Sequence, residues 1–407
     1  MFRVAITGLG IVSVLGHGAV AVAEALRGGA SGIGIDPERK RLGFASGLTG
    51  LLPPYTPTLP LSRKQRKTMP DFAQWAAEAC GQALLQSGLE PAQIQNGETG
   101  IVFGCDSSCL AAVEQASLLL EKKDTGSLGS GLVFRSMTSC ISMNLGALFK
   151  TQGAAWTLSA ACASGGHAVG QAAALIAHGR QERVLCGGAQ EINWQSMCSF
   201  DALGAFSTRE RSPHAASRPF DADRDGLVPS GGAAALLLER LDLAEKRGTP
   251  ILGEVAGYGF SSDGESLSVP GEEGLGRAMR MALSDARLQK KDIAYVCAHA
   301  TSTRVGDAVE ARNIAALFGD RGVPVSSTKS MTGHELWMSG AAQVVYTTLM
   351  ARHGFIAPNL NFHQPDEWSA RLDVVTDARP GNIPAALCNS AGFGGTNAAL
   401  VLRFPKP

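Results

Sequence analysis

Aromatic residues make up only 6% of the 407 positions and charged residues 18%. With 45% hydrophobic residues and 49 glycines, the composition is that of a compact α/β chain with a core of small aliphatic side chains. At this length the chain exceeds one ordinary domain and can bury a large core. Net charge is also missing, because 36 basic residues balance 36 acidic ones. The global charge therefore favours neither nucleic acid nor an acidic membrane surface, and any electrostatic docking site has to be local. No apolar run reaches the length of about eighteen residues that a membrane-spanning helix needs. The N-terminal MFRVAITGLGIVSVLGHG lacks a basic leader and a small-residue cleavage site. Nine cysteines show neither a CxxC spacing nor an even framework, which predicts reduced thiols and a cytoplasmic location.

Further absences remove cofactor readings. GLGIVS has the first two glycines of a dinucleotide fingerprint, but Ser13 stands where the third small residue belongs. Val4 to Thr7 is accordingly predicted as the first strand, with Gly8-Leu9-Gly10 as a tight turn leaving it. Asp221, Asp223 and Asp225 alternate ahead of Gly226 like the start of a calcium loop. Position twelve of that loop is Gly232 instead of a glutamate, so the segment reads as a turn held by Asx hydrogen bonds. Cys105 and Cys109 have a helical spacing but no third ligand nearby, and are assigned to packing.

What is present centres on TLSAACASGGHAVG, residues 157 to 170. Leu158 closes an apolar strand, and Gly165 and Gly166 open an alanine-rich helical pattern. Cys162 therefore lies between strand and helix, near unpaired N–H groups and the positive end of a helix dipole. Both favour thiolate, the form that attacks carbonyl carbon. A cysteine is more often a buried small hydrophobe, but two later segments supply partners. The strand Ala294 to Ala298 delivers His299 to a polar loop, followed by a helix carrying Asp307 and Glu310. The short strand in VPVSSTKSMTGHELW ends in a Ser/Thr loop with Lys329 and His334. Two histidines at strand-to-loop junctions, remote in sequence from a cysteine at a helix start, form a catalytic constellation.

SAACASG, FDADRDGLVPSGG, AHATSTRVGDAVE, STKSMTGH and NSAGFGGTN occur in that order. Together they resemble the β-ketoacyl-[acyl carrier protein] synthase family, best its elongating type I/II branch, over nearly the whole chain. The resemblance implies an α/β, thiolase-like five-layer αβαβα fold. It would have two similar halves, residues 1–248 and 249–407, normally dimerised through the region around residues 131–148. The partner subunit would be an identical copy or a related ketosynthase-like chain. Decarboxylative Claisen condensation in fatty acid or polyketide/polyene biosynthesis is the implied reaction. Cys162 would carry the acyl chain, while neutral Nε2 groups of His299 and His334 donate hydrogen bonds to the malonyl thioester and its enolate. Backbone N–H groups of Cys162 and Phe393 would form the oxyanion hole. Lys329, ion-paired with Glu310, would order the site, and Asp307 would anchor the loop after His299. No metal or organic cofactor is required.

The acidic acyl carrier protein would dock on the basic run Arg63, Lys64, Arg66 and Lys67. Phe200 and Phe206 are expected as pocket walls. Three departures from the family pattern point to an unusual acyl chain, such as an aryl-primed polyene. Ala300 replaces the glycine after His299. Trp337 and Met338 add bulk after His334, and Ala391 stands where an aromatic ring is usual. These are either two unrelated local repackings or a compensating exchange in which the two bulky residues refill the space the missing ring leaves. A non-catalytic chain-length partner would lack the nucleophilic cysteine. A degradative thiolase would need a second reactive cysteine, and Cys388, followed by Asn389-Ser390, does not match its context.

Overall fold

The computed structural model describes residues 1–405. Ten of the twelve strands of its main sheet frame the site: β1 (Val4–Ser13), β2 (Thr99–Gly104), β3 (Ala155–Leu158), β4 (Arg183–Gln190) and β5 (Gly232–Arg240), then β6 (Gly253–Ser262), β7 (Tyr295–Cys297), β8 (Pro324–Ser326), β9 (Ala385–Gly392) and β10 (Thr396–Arg403). The first five run in the spatial order β3-β2-β4-β5-β1 and the second five in the order β8-β7-β9-β10-β6. In each set two parallel pairings are followed by two antiparallel ones. The duplication that the sequence shows only as a strand–loop–helix rhythm is thus explicit in the strand order. The two leaves touch edge to edge where β1 meets β6, pairing Ala5 with Glu254 and Ile6 with Gly253.

Between the leaves lie α2 (Ser164–Ala177) and α5 (Ser339–His353). Every residue of α5 from Ser339 to Met350 is buried, as befits a helix covered on all sides. Outside one leaf packs α1 (Asp71–Ser87), and outside the other pack α3 (Gly274–Asp285) and α4 (Arg304–Phe318). This is the αβαβα stack.

The expected turn at Gly8-Leu9-Gly10 is wrong. β1 continues unbroken to Ser13, with a register shift between Ile6 and Gly8. The glycines serve a long-range contact: a Cβ on Gly8 would lie 2.0 Å from the Ala83 carbonyl oxygen, and one on Gly10 1.8 Å from that of Ala79, both on α1. Gln86 and Gln82 of the same helix accept from the backbone N–H groups of Leu9 and Ile11, at 2.8 and 2.9 Å. The second leaf repeats the device. A Cβ on Gly257 or Gly259 would lie 2.3 or 2.0 Å from the carbonyl oxygens of Ala282 or Ala278 on α3. Bare backbone on alternate strand positions lets each outer helix sit directly on its leaf.

The Asp221 loop is a turn, as expected. Its carboxylate accepts from the backbone N–H groups of Asp223, His363 and Gln364, at 3.0, 2.7 and 2.9 Å. No helix of the described residues is long and apolar enough to cross a membrane.

Candidate active site

Strand ends deliver the reactive groups to one cavity of about 480 Å³, bordered by Cys162, His299 and His334. β3 ends at Leu158, and Ala161 takes a left-handed backbone (φ 46°) before α2 begins. The Ser164 hydroxyl locks that turn, accepting from Ala160 N at 2.8 Å and donating to Ala161 O at 2.6 Å. The result is a sharp strand-to-helix corner with Cys162 at its tip. Gly392 packs against it so closely that an added Cβ would lie 2.9 Å from both Cys162 N and Ala160 O.

The expectation of a thiolate favoured by the helix start needs correction. Burial pushes the Cys162 thiol up to about 12, against the pull of Lys329 in the other direction. Desolvation of the charged form outweighs the helix terminus. The resting nucleophile is a thiol, and its proton has to leave as the acyl group arrives.

His299 follows β7, and its backbone N–H is held at 2.9 Å by Glu310. Glu310 also accepts from Ala300 N at 2.6 Å and Asn389 Nδ2 at 2.9 Å. Asp307 accepts from the backbone N–H groups of Thr301, Ser302, Thr303 and Phe220, at 2.9, 3.2, 3.3 and 2.8 Å. The two carboxylates therefore fix the whole loop after His299 through its own N–H groups. Ser302 carries the left-handed backbone there (φ 71°), not Ala300, which is why the extra Cβ is tolerated.

His334 is positioned by its backbone N–H on Val228 O at 2.7 Å and by an Nδ1 contact of 3.1 Å with Ser339 Oγ. The rings of His299 and His334 meet edge to face, with centroids 5.2 Å apart at 87°. Burial, helped by the charge of Lys329, drives both imidazoles well below their usual range. Both stand neutral at physiological pH, so each has one N–H to donate. The tautomer in which Ser339 Oγ donates to Nδ1 presents Nε2–H of His334 to the cavity.

Lys329 is 1% exposed and its Nζ has no hydrogen-bond partner. The expected ion pair with Glu310 does not form, because that carboxylate is already taken up by His299, Ala300 and Asn389. Lys329 acts on the site through its field alone.

Of the expected pocket residues, Phe200 and Ala391 border the cavity, and so does Phe393, expected at the oxyanion hole. Phe206 and Trp337 stand behind Phe200, with ring centroids 6.4 and 6.3 Å from it, while Phe393 stacks on Phe200 at 5.9 Å and 21°. Met338 does not belong to the pocket. It is fully buried in the core between the leaves. Nor do Trp337 and Met338 refill the space at Ala391: that residue opens onto a further cavity of about 40 Å³ bordered by Leu275, Val309 and His299. The reading from sequence missed Thr301, Thr303, Arg304 and the Leu267–Pro270 segment, which also border the main cavity. Only the loop's return to the site, a long-range feature, reveals them. It also missed Glu335, a buried carboxylate adjacent to His334; a charged residue inside ELWMSGAA was the available signal.

Arg63, Lys64, Arg66 and Lys67 lie on and just after a one-turn helix (Arg63–Arg66) capped by Ser62 and Gln65. All four are exposed. Arg66 donates to Leu61 O and Lys67 to Ser130 Oγ at 2.8 Å. None borders the main cavity.

The family models for the β-ketoacyl synthase N-terminal and C-terminal domains match residues 1–244 and 252–363. The 3-oxoacyl-[acyl-carrier-protein] synthase 1 of Escherichia coli (strain K12) is 39% identical over the whole of both chains. That of Haemophilus influenzae is 37% identical over 99% of each. A β-ketoacyl synthase structure from Burkholderia phymatum superposes with a TM-score of 0.95 at 35% identity, covering all of both chains. Family models that together span most of the chain, and relatives more than a third identical along its full length, show that the chain belongs to the β-ketoacyl synthase family of acyltransferases.

Proposed function

We propose that the chain extends an acyl group by decarboxylative condensation with a malonyl thioester delivered by an acyl carrier protein. The observation that carries this is the convergence of Cys162, His299 and His334 on one cavity. Cys162 Sγ attacks the carrier-bound acyl carbonyl, carrier thiol departs, and the acyl chain is left on sulfur. A malonyl thioester then enters. Its bond to the carboxylate carbon breaks, CO2 leaves, and the electron pair becomes an enolate whose oxygen takes the N–H groups of the two neutral imidazoles. The enolate carbon attacks the acyl–sulfur carbonyl. The tetrahedral intermediate, held by the N–H groups of Cys162 and Phe393, collapses and expels the cysteine sulfur.

A chain-length partner needs no such triad, and a thiolase needs a second reactive cysteine. Cys388 contacts Thr347 Oγ1 at 3.4 Å and Gln343 O at 3.9 Å, and does not border the cavity.

The Phe200 cluster, with Phe206 and Phe393 stacked on it, offers an aromatic wall suited to conjugated chains, which supports polyene synthesis as the finer reading. Structural neighbours include the ishigamide ketosynthase/chain length factor (TM-score 0.91, 29% identity) and a type II polyketide ketosynthase in complex with its acyl carrier protein (0.88, 28%). The basic helix at Arg63–Arg66 is the proposed carrier dock. Halves divided near residue 248 are proposed to form one catalytic unit, which pairs with a second ketosynthase-fold chain. The face proposed for that pairing carries the sheet-edge strand β3 with exposed Trp156, against the helix Cys140–Phe149 with exposed Met143. An open strand edge flanked by apolar side chains is the surface a partner strand extends.

Mass spectrometry of carrier-bound products, after incubation with malonyl carrier and saturated or polyunsaturated primers, tests the reading. Two-carbon extension with CO2 release is expected, with the polyunsaturated primer preferred. Absence of extension from every primer would overturn the condensation, and a preference for saturated chains the polyene assignment.

A further inference from the structure

The small chamber beside His299 has no part in the steps above. It holds about 40 Å³ and shares Pro270, His299, Thr301, Gly306 and Ala391 with the wall of the main cavity, so the two spaces adjoin. Leu275 of α3 and Val309 of α4 close its far side. Asp307 and Glu310 also border it, but all four of their carboxylate oxygens already accept hydrogen bonds from the protein. The amide of Asn397, a further border residue, donates to Asp263 Oδ1 at 2.8 Å and Gly395 O at 2.9 Å. With these polar groups engaged, the chamber offers chiefly the hydrocarbon of Leu275, Ala300, Val309 and Ala391. Its place assigns it to one half of the reaction. Cys162, Phe200 and His334 border the main cavity and not the chamber, whereas His299 borders both. The chamber therefore lies away from the sulfur and the acyl wall, on the side where an imidazole takes the enolate oxygen.

We infer that this chamber receives a short alkyl branch on the α-carbon of the extender, so that the enzyme condenses α-branched malonyl thioesters as well as malonyl, with Ala391 and Val309 setting the size of the branch. The inference rests on the condensation reading of this site. The bonds are those of the unbranched reaction. The bond to the carboxylate carbon breaks, CO2 leaves, and the electron pair becomes the enolate. Its α-carbon, still carrying the alkyl group, attacks the acyl–sulfur carbonyl and expels the cysteine sulfur, giving an α-alkyl-β-ketoacyl carrier. An alkyl group in the chamber leaves water and meets lining atoms that otherwise lack a partner on that side. Admitting one water-sized group takes about 10–15 Å³, so the chamber suits a branch of one or two carbons.

The test is competition between methylmalonyl carrier and malonyl carrier for one acyl-loaded enzyme, read by mass spectrometry of the products. The native enzyme should use methylmalonyl carrier within about tenfold of malonyl carrier, inside the range one methylene commands in an apolar pocket. Ala391→Phe, which fills the chamber from β9, should lower the ratio of branched to unbranched product by about tenfold or more. Val309→Leu fills it from α4, at a residue that does not border the main cavity, and should lower the ratio in the same direction. Val309→Ala should raise the use of ethylmalonyl carrier relative to methylmalonyl carrier. Lost packing alone would reduce all products together and leave the ratios where they were. Rejection of methylmalonyl carrier by an enzyme that turns over malonyl carrier would overturn the proposal. An unmoved ratio in either filling variant, at native thermal stability, would do so too. If Ala391→Phe does not fold, Val309→Leu decides. An enzyme that condenses neither extender would instead refute the condensation reading, and the chamber's role with it.

Discussion

Cys162, His299 and His334 are separable by substitution because they serve different half-reactions. Cys162→Ala removes the only atom that can hold the acyl chain, so condensation should fall to background. Cys162→Gln places an amide where the thioester carbonyl would lie, and should leave malonyl decarboxylation measurable. Product formation by Cys162→Ala would displace the nucleophile assignment. His299→Ala and His334→Ala should each lose decarboxylation by about a hundredfold or more, the scale of one oxyanion donor. Their Cys162 should still accept radiolabelled acyl groups. Acylation and decarboxylation falling together would instead indicate a collapsed site. Ala391 and Trp337 face different spaces, Ala391 the small cavity beside His299 and Trp337 the back of Phe200. Ala391→Phe and Trp337→Gly should therefore shift chain preference additively, read as the ratio of saturated to polyunsaturated primer in competition. A strongly non-additive double variant would restore the idea of a compensating exchange.

Among the elements, the short basic helix and the glycine-bearing strands make opposite demands. The helix exposes its cations and owes nothing to the core, so Arg63→Glu with Lys67→Glu should fold normally. That pair should raise the apparent KM for carrier-bound substrate and flatten its salt dependence, with small thioester mimics turned over as before. Equal losses on both substrate types would move the dock elsewhere. Gly259→Ala, by contrast, drives a methyl group into the Ala278 carbonyl. It should cost about 1–3 kcal/mol of stability in denaturant unfolding, and so should Gly10→Ala in the other leaf. This scale also shows what a sequence can and cannot disclose. Strand ends, the corner at Cys162 and the extent of α1 are local patterns, and they were legible. Gly8 and Gly10 were misread because a helix more than sixty positions away explains them, and turn chemistry is the only local meaning of glycine. The Lys329–Glu310 pair was misread for a related reason. Residue types advertise charge complementarity, but not that backbone N–H groups have already claimed the carboxylate.

For the molecule as a whole, the buried carboxyls set a pH signature of stability. Asp307 and Glu335 are raised by burial from 3.8 and 4.5 to about 7. A carboxyl whose folded pKa exceeds its unfolded one binds its proton more tightly in the native state. Its favourable contribution is therefore complete below the unfolded value and disappears as pH rises to the folded one. The buried imidazoles, held below their usual range, oppose this between pH 5 and 6.5, so the carboxyl contribution is read as a difference: the unfolding temperature of Glu335→Gln should rise relative to wild type as pH goes from 5 to 8. A difference between variant and wild type that stays flat or falls from pH 5 to 8 would contradict it. The chemistry itself is divided between the leaves: the sulfur comes from one, both imidazoles from the other, and the two sheets share only the short rung at Ala5–Ile6. Activity is then a gauge of alignment between two plates, each of which can keep its own hydrogen-bonded ladder while slipping against its twin. Rising denaturant should extinguish turnover before the far-ultraviolet signal of helix and strand begins to fade.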